Sequence, residues 1–107
     1  MTGKLQVSKS RGQQESFTVT ADDSHTFRIR LTESGYAVVL RWKDAEGKRP
    51  ERYLCYFSKA EWKKAQRDSL SAFVALVLIK LNERKASGEG DADKLDALAS
   101  RVRAVGT

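Results

Sequence analysis

The chain has 107 residues, of which 40% are hydrophobic, and this suits one domain with a modest core. Its longest apolar run, residues 72–79, is too short to span a bilayer and lies mid-chain, away from the place of a signal peptide. We therefore expect an intracellular protein, cytoplasmic or associated with the nucleoid. A net charge of +6 favours partners rich in phosphate, chiefly nucleic acid, through counterion release.

Residues 1–15 are polar, basic and without sustained periodicity, and they are predicted to form a flexible N-terminal arm. Leu5 and Val7 leave a second possibility open, because they alternate with polar neighbours and could pair briefly as an edge strand.

From residue 16 to residue 57 apolar and polar residues alternate with the period of two that is typical of β-strands. In the clearest strand, Phe27, Ile29 and Leu31 share one face, and Arg28 and Arg30 share the other. Clusters of Asp, Ser, Glu and Gly separate the strands and favour turns. The sequence predicts a four-stranded antiparallel meander with strands over residues 16–20, 26–32, 36–43 and 52–57.

A helix is predicted from residue 59 to about residue 85, because Ser58 and Glu61 have the spacing of a capping box. Between residues 70 and 81 only Ser71 and Lys80 are not apolar. A helix that is apolar nearly all round must be covered on more than one side. We therefore predict a homodimer in which the long helices pack together, through Leu70, Phe73, Val74, Val77, Leu78 and Leu81.

Residues 86–90 are rich in Gly and Ser and end this helix. Asp91 or Asp93 can cap a short last helix, whose apolar stripe is Leu95, Leu98, Val102 and Val105 and which ends before Gly106. The predicted fold class is therefore α+β, a single β-β-β-β-α-α domain over residues 16–107.

The residues needed for catalysis are not visible in the sequence. The one histidine, His25, lies in a predicted turn, and with the one cysteine, Cys55, it does not make a zinc spacing. Cys55 lies in an apolar run and is predicted to be a small packed side chain. No glycine-rich phosphate loop is present. We expect no enzyme, no cofactor, no metal, no small-molecule substrate and no membrane partner.

Cationic residues recur on the outward positions of the predicted sheet. Arg28 and Arg30 must point the same way, and Arg41 and Lys43 share a face of the next strand. The other candidates are Lys48 and Arg49 in the following loop and Arg52 at the start of the fourth strand. Cations interleaved with aromatic rings, here Trp42 and one of the tyrosines, are what binding of a single strand needs.

The sequence pattern allows the Trp42 side chain to lie on either face of the predicted sheet. Strict alternation places Trp42 on the core side with Tyr36, Val38 and Leu40, whereas a bulge near the end of the strand could turn it outward.

The segments WKDAEG (residues 42–47) and SKAEW (residues 58–62), joined by a basic loop and a short strand, resemble the C-terminal domain of positive cofactor four. That family comprises transcriptional coactivators that bind single-stranded DNA, and the Whirly proteins share its fold. The resemblance covers residues 26–66.

The resemblance implies a curved four-stranded sheet followed by a helix, a dimer formed through the helices, and single strands bound by the sheet and its loops. The family's hairpin tryptophan, which contacts DNA, falls on Trp42, and its basic positions fall on Arg28, Arg30, Lys43, Lys48 and Arg49. The chain departs from the family at Glu33 and Ser34, where aromatic and basic residues are expected, and in its longer helix and additional last helix.

The leading hypothesis is a homodimeric protein that binds single-stranded nucleic acid, DNA in preference to RNA, in transcription, replication or repair. The alternative is an assembly module whose apolar helix, residues 70–81, docks to a partner chain. A third reading places the basic segment 59–67 in the major groove of double-stranded DNA, although Glu61 interrupts its charge and no helix-turn-helix pair precedes it.

Overall fold

A computed structural model describes residues 5–10 and 16–105. The predicted α+β class is confirmed, because one antiparallel sheet is followed by helices. The strands lie in chain order across the sheet and are β1 (Gln6–Ser10), β2 (Ser16–Thr20), β3 (His25–Leu31), β4 (Gly35–Trp42) and β5 (Glu51–Ser58). The helices are α1 (Lys59–Ala65), α2 (Leu70–Ala86) and α3 (Ala92–Val105).

The sheet has five strands in the described residues, so the predicted count of four is wrong. The added strand is β1, which pairs with β2 and realises the edge strand left open at Leu5 and Val7. Leu5 is buried in the core, and its backbone N–H donates to the Asp68 carbonyl at 3.1 Å. Part of the predicted arm is therefore built into the domain, and the rest of it, residues 1–4 and 11–15, lies outside the described residues.

A β-bulge interrupts the pairing of β4 with β5. Val38 is opposite Cys55, but its neighbour Val39 is opposite Tyr53, so Leu54 is one residue in excess. Leu54 and Cys55 are both buried although they are consecutive, which ordinary alternation forbids. As a result Tyr53 and Tyr56, three residues apart, both fall opposite residues of the same face of β4.

The capping box at the first helix is confirmed. The Ser58 hydroxyl accepts from the Glu61 backbone N–H at 3.1 Å, and the Glu61 carboxylate accepts from the Ser58 N–H at 2.8 Å. The single long helix is wrong, because α1 ends at Ala65 and α2 has a cap of its own. The Ser69 hydroxyl accepts from the Ala72 N–H at 3.2 Å, and serine bonded in this way starts a new helix.

The last helix covers the side of α2 that the sheet leaves bare. Asp91 is its cap, accepting from the backbone N–H groups of Asp93 and Lys94. Of the predicted stripe, Leu95, Val102 and Val105 are buried and Leu98 is partly buried against the core. Gly106 lies outside the described residues.

The core lies between the sheet and α2. The Phe73 ring meets Phe27 of β3 at 4.9 Å and Phe57 of β5 at 5.7 Å between centroids. Four of the six residues predicted for the dimer interface are buried inside this one chain, namely Phe73, Val74, Val77 and Leu81. Leu70 and Leu78 are partly buried against the same core. The apolar character of α2 is thus explained by the chain's own sheet and α3.

Candidate nucleic-acid interface

The sheet face opposite the helices carries three cross-strand rows of residues, which we call the open face. Residues paired across antiparallel strands lie on the same face and in contact distance. The rows are Ser16–Arg30–Ala37–Tyr56, Thr18–Arg28–Val39–Tyr53 and Thr20–Thr26–Arg41–Glu51. Three of the predicted cations, Arg28, Arg30 and Arg41, are therefore brought together on one surface.

An acid lies among these arginines. The Glu51 carboxylate is 3.0 Å from Arg30, 3.4 Å from Arg28 and 3.9 Å from Arg41. The pairing of β4 with β5 places Glu51 opposite Arg41, on the same face as the arginines. Three guanidinium groups share one carboxylate, so two positive charges remain unbalanced at this cluster. Each pair is partly exposed and contributes at most about 1 kcal/mol to stability.

Two tyrosines extend the open face at the edge of the sheet. Tyr53 is 42% exposed and Tyr56 is 37% exposed, and the Tyr56 hydroxyl donates to Ser34 at 2.9 Å. Gly35 lies against Tyr56, since a Cβ at position 35 would collide with its ring and hydroxyl. The sequence pattern does not place these two tyrosines together, because only the bulge brings both to the same face.

Trp42 lies on the opposite side of the sheet, as strict alternation predicts. Its row partner is His25, next to the core pair of Phe27 and Leu40. The ring is partly buried, and the guanidinium carbon of Arg101 in α3 lies 4.2 Å from its centroid. The bulge belongs to β5 and does not turn Trp42 outward. Trp42 and the arginines of the open face are therefore on different surfaces.

Trp42 lines a cavity of about 570 Å³ between the end of the sheet and α3, which we call the Trp42 groove. Leu95 and Leu98 are among its apolar lining residues. Its lining also includes a second aromatic ring, one carboxylate and four cations: Tyr53, Asp91, Arg52, Arg84, Lys94 and Arg101. Arg52 is the one further predicted site residue found here. Arg84, Lys94 and Arg101 were missed, because no sequence pattern shows how α3 lies against the sheet.

Arg84 fixes one wall of the Trp42 groove. Its guanidinium donates to the Leu54 carbonyl at 2.7 Å and lies 4.8 Å from the Tyr53 ring centroid. Its Nε is 3.7 Å from the Glu89 carboxylate. Arg84 thus fastens the end of α2 to the bulge of β5, next to an aromatic ring.

The three remaining predicted cations, Lys43, Lys48 and Arg49, are exposed in the loop between β4 and β5. The Asp44 carboxylate organises this loop by accepting from the backbone N–H groups of Glu46 and Lys48 at 2.9 Å and 2.8 Å. The Lys43 N–H donates to the Ser24 carbonyl at 3.0 Å, so the two loops at this end of the sheet adjoin. The loop cations are thus carried at the end of the sheet where Arg41 and Trp42 lie.

Neither Cys55 nor His25, the two side chains with a chemistry that catalysis could use, has the surroundings that catalysis needs. Burial raises the pKa of the Cys55 thiol to about 12, so at neutral pH it is protonated. The Asp22 carboxylate and the Ser24 hydroxyl both approach Nδ1 of His25, at 2.9 Å and 3.1 Å, whereas a proton relay would use both ring nitrogens. Within residues 5–10 and 16–105, no group of three or more His, Cys, Asp or Glu side chains could hold a metal ion.

The helices described by the structure are too short or too polar to cross a bilayer. Comparison of the chain with protein-family models, with curated proteins and with solved structures finds no match. The geometry of the open face and of the Trp42 groove is therefore the basis for a functional proposal.

Proposed function

We propose that this protein binds single-stranded nucleic acid along the open face of its sheet. The observation that carries the proposal is the arrangement of two neighbouring rows, each of which runs from an arginine across a small apolar residue to an exposed tyrosine. Guanidinium groups neutralise phosphates, and exposed rings stack on unpaired bases at about 1–3 kcal/mol per base.

The same arrangement favours a single strand over a duplex. Bases inside a duplex are stacked on each other, so tyrosines on a sheet surface have no base face to contact. The loop cations Lys43, Lys48 and Arg49 extend the positive charge beyond the end of the sheet. DNA rather than RNA, and a role in transcription, replication or repair inside the cell, follow from the resemblance to positive cofactor four alone.

The proposal is tested by fluorescence-anisotropy titration of the protein into labelled single- and double-stranded oligonucleotides at two salt concentrations. The double variant Arg28→Ala/Arg30→Ala is compared with Lys63→Ala/Lys64→Ala, which removes two charges from exposed positions of α1. We expect the open-face variant to bind the single strand at least tenfold more weakly and with a smaller salt dependence. Equal losses in both variants would mean that only net charge matters and would remove the open face from the proposal.

The homodimer stays a prediction, and its interface must differ from the one expected. Four of the six expected residues are core residues of the single chain. The exposed apolar surface of α2 is a strip that is narrower than the predicted interface and includes Ala72, Ala75 and Ile79. Ile79 is 56% exposed. Light scattering of the protein and of Ile79→Lys measures the mass in solution. A dimer formed through this strip predicts dissociation of the variant into folded monomers whose melting temperature no longer depends on protein concentration.

A further inference from the structure

We propose that the Trp42 groove is a nucleotide-binding site, in which a base stacks on the pair formed by Trp42 and Arg101 and the phosphate lies among the groove's cations. The proposal concerns a surface distinct from the open face, and the two are joined at Tyr53. Where the nucleotide is part of a bound strand, this inference rests on the proposed function. Where it is a free nucleotide, the site stands by itself.

The size of the groove suits such a ligand. Its volume of about 570 Å³ is within the range of roughly 300–1,000 Å³ of small-molecule sites. Its lining is predominantly apolar and combines Leu95 and Leu98 with charged side chains. A flat, largely apolar base with a charged phosphate attached matches that distribution.

The charge of the groove selects an anion. Arg52, Lys94 and Arg101 are exposed cations, and Arg84 is a fourth that is bonded to the Leu54 carbonyl and paired with Glu89 at 3.7 Å. Asp91 is the carboxylate among the lining residues that the structure describes. It accepts from two backbone N–H groups at the start of α3 and keeps its negative charge, which the four lining cations outnumber. Arg52 donates one N–H to the Glu51 backbone carbonyl at 2.8 Å, and the phosphate would contact its remaining N–H groups together with Lys94.

The stacking geometry is already formed. Arg101 lies over Trp42 at 4.2 Å from the ring centroid, and Arg84 lies beside Tyr53 at 4.8 Å. A guanidinium stacked on an aromatic ring presents its own second flat face, and unpaired bases stack on guanidinium planes as well as on rings. The groove thus offers a base one such platform at Arg101, whereas the Arg84 side chain is only 18% exposed and is held by Leu54 and Glu89.

Tyr53 connects the groove to the open face. By register it ends the row that contains Arg28 and Val39, and it also lines the groove. A strand lying on the open face would pass the β5 edge at Tyr53 and could place its next base in the groove.

The test uses the fluorescence of Trp42, because the other tryptophan, Trp62, is 2% exposed in the core and out of reach of a ligand. Adenosine 5′-monophosphate and ribose 5-phosphate are titrated into the protein, and the labelled oligonucleotide is titrated in parallel. The variants are Trp42→Phe, Arg101→Gln and the matched control Arg103→Gln, which is on the same helix and outside the groove. The open-face variant Arg28→Ala/Arg30→Ala is included to distinguish binding at the open face from binding in the Trp42 groove.

We expect adenosine monophosphate to quench the tryptophan signal, ribose 5-phosphate to do so far less, and Trp42→Phe to abolish the response. Arg101→Gln is expected to weaken nucleotide binding about tenfold, whereas Arg103→Gln and the open-face variant leave it unchanged within about twofold. A weaker oligonucleotide affinity in Arg101→Gln assigns the site to a nucleotide of a strand. Quenching by adenosine monophosphate without any binding of the oligonucleotide assigns the site to a free nucleotide. That result refutes the proposed function but leaves the nucleotide site intact.

Two results overturn the inference. One is an absence of quenching by adenosine monophosphate together with wild-type oligonucleotide affinity in Arg101→Gln, which leaves the open face and the proposed function intact. The other is an equal effect of Arg101→Gln and Arg103→Gln, which reduces the groove to a contribution to net charge.

Discussion

If the open face binds a strand as proposed, Glu51 competes with phosphate for its three arginines, and removal of its charge tests that surface. Its carboxylate lies 3.0 Å from Arg30 and 3.4 Å from Arg28, where a phosphate oxygen of a bound strand would have to lie. Glu51→Gln keeps the size of the side chain, removes its charge and replaces one acceptor oxygen with an NH2 donor. The variant should therefore bind single strands more tightly than the wild type.

The magnitude follows from Coulomb's law. A phosphate held by these arginines would lie within several ångströms of the Glu51 carboxylate, and two like charges at such a distance repel by about 1 kcal/mol in a largely aqueous setting. Loss of this repulsion corresponds to about a fivefold gain in affinity at low salt. Stability should move the other way, because the ion pairs with Arg28, Arg30 and Arg41 are lost, each at a cost of at most about 1 kcal/mol.

The assay is the anisotropy titration at two salt concentrations, paired with urea denaturation of each variant. The control is Asp96→Asn, which also removes one negative charge but lies on α3, where Asp96 pairs with Lys85 at 2.9 Å. The control should show a smaller gain. A weaker affinity in Glu51→Gln would refute the reasoning, since it would mean that Glu51 aligns the arginines for binding rather than competing with their ligand.

Three further predictions concern the rest of the fold. Ser58→Ala should lower the free energy of unfolding by about 1 kcal/mol in urea titrations, because the capping box loses its hydroxyl, whereas exposed Ser71→Ala inside α2 should not destabilise. Burial acts to raise the pKa of Glu61, but hydrogen bonds from Lys80 and the Ser58 backbone outweigh it and hold this pKa below its ordinary value of 4.5. Its stabilising contribution is therefore complete above pH 4.5 and is lost as the pH falls through the lower folded pKa, so acid titration of Glu61→Gln should show a smaller loss of stability than wild type. Cys55, with its pKa raised to about 12 by burial, should react with a thiol reagent at pH ~8 only after unfolding, and rapid reaction of the native protein would contradict its placement in the core.

Local patterns predicted much of the sheet and the first cap. Alternation placed Phe27 and Ile29 in the core with Arg28 and Arg30 opposite, and it placed Trp42 on the helix side. The capping box was readable because its two bonds depend on residues three apart in the chain.

The features that were missed depend on pairing between distant segments. Glu51 reaches the arginines because of the register of β5, and Tyr56 shares their face because of a bulge that no local signal marks. The groove needs Arg101 from α3, whose position against the sheet is set by packing on α2. The break before α2 had a local sign in Ser69, but the apolar periodicity on either side of it favoured continuity.

The hydrogen bond from Leu5 to Asp68 joins the first described residue to the joint between α1 and α2. These segments are far apart in sequence, so β1 and the helix joint should open together rather than separately. Amide hydrogen exchange at Leu5 then reports on the helical layer. A truncation that removes Leu5 and β1 would expose the edge of β2 and release a core side chain at the same time.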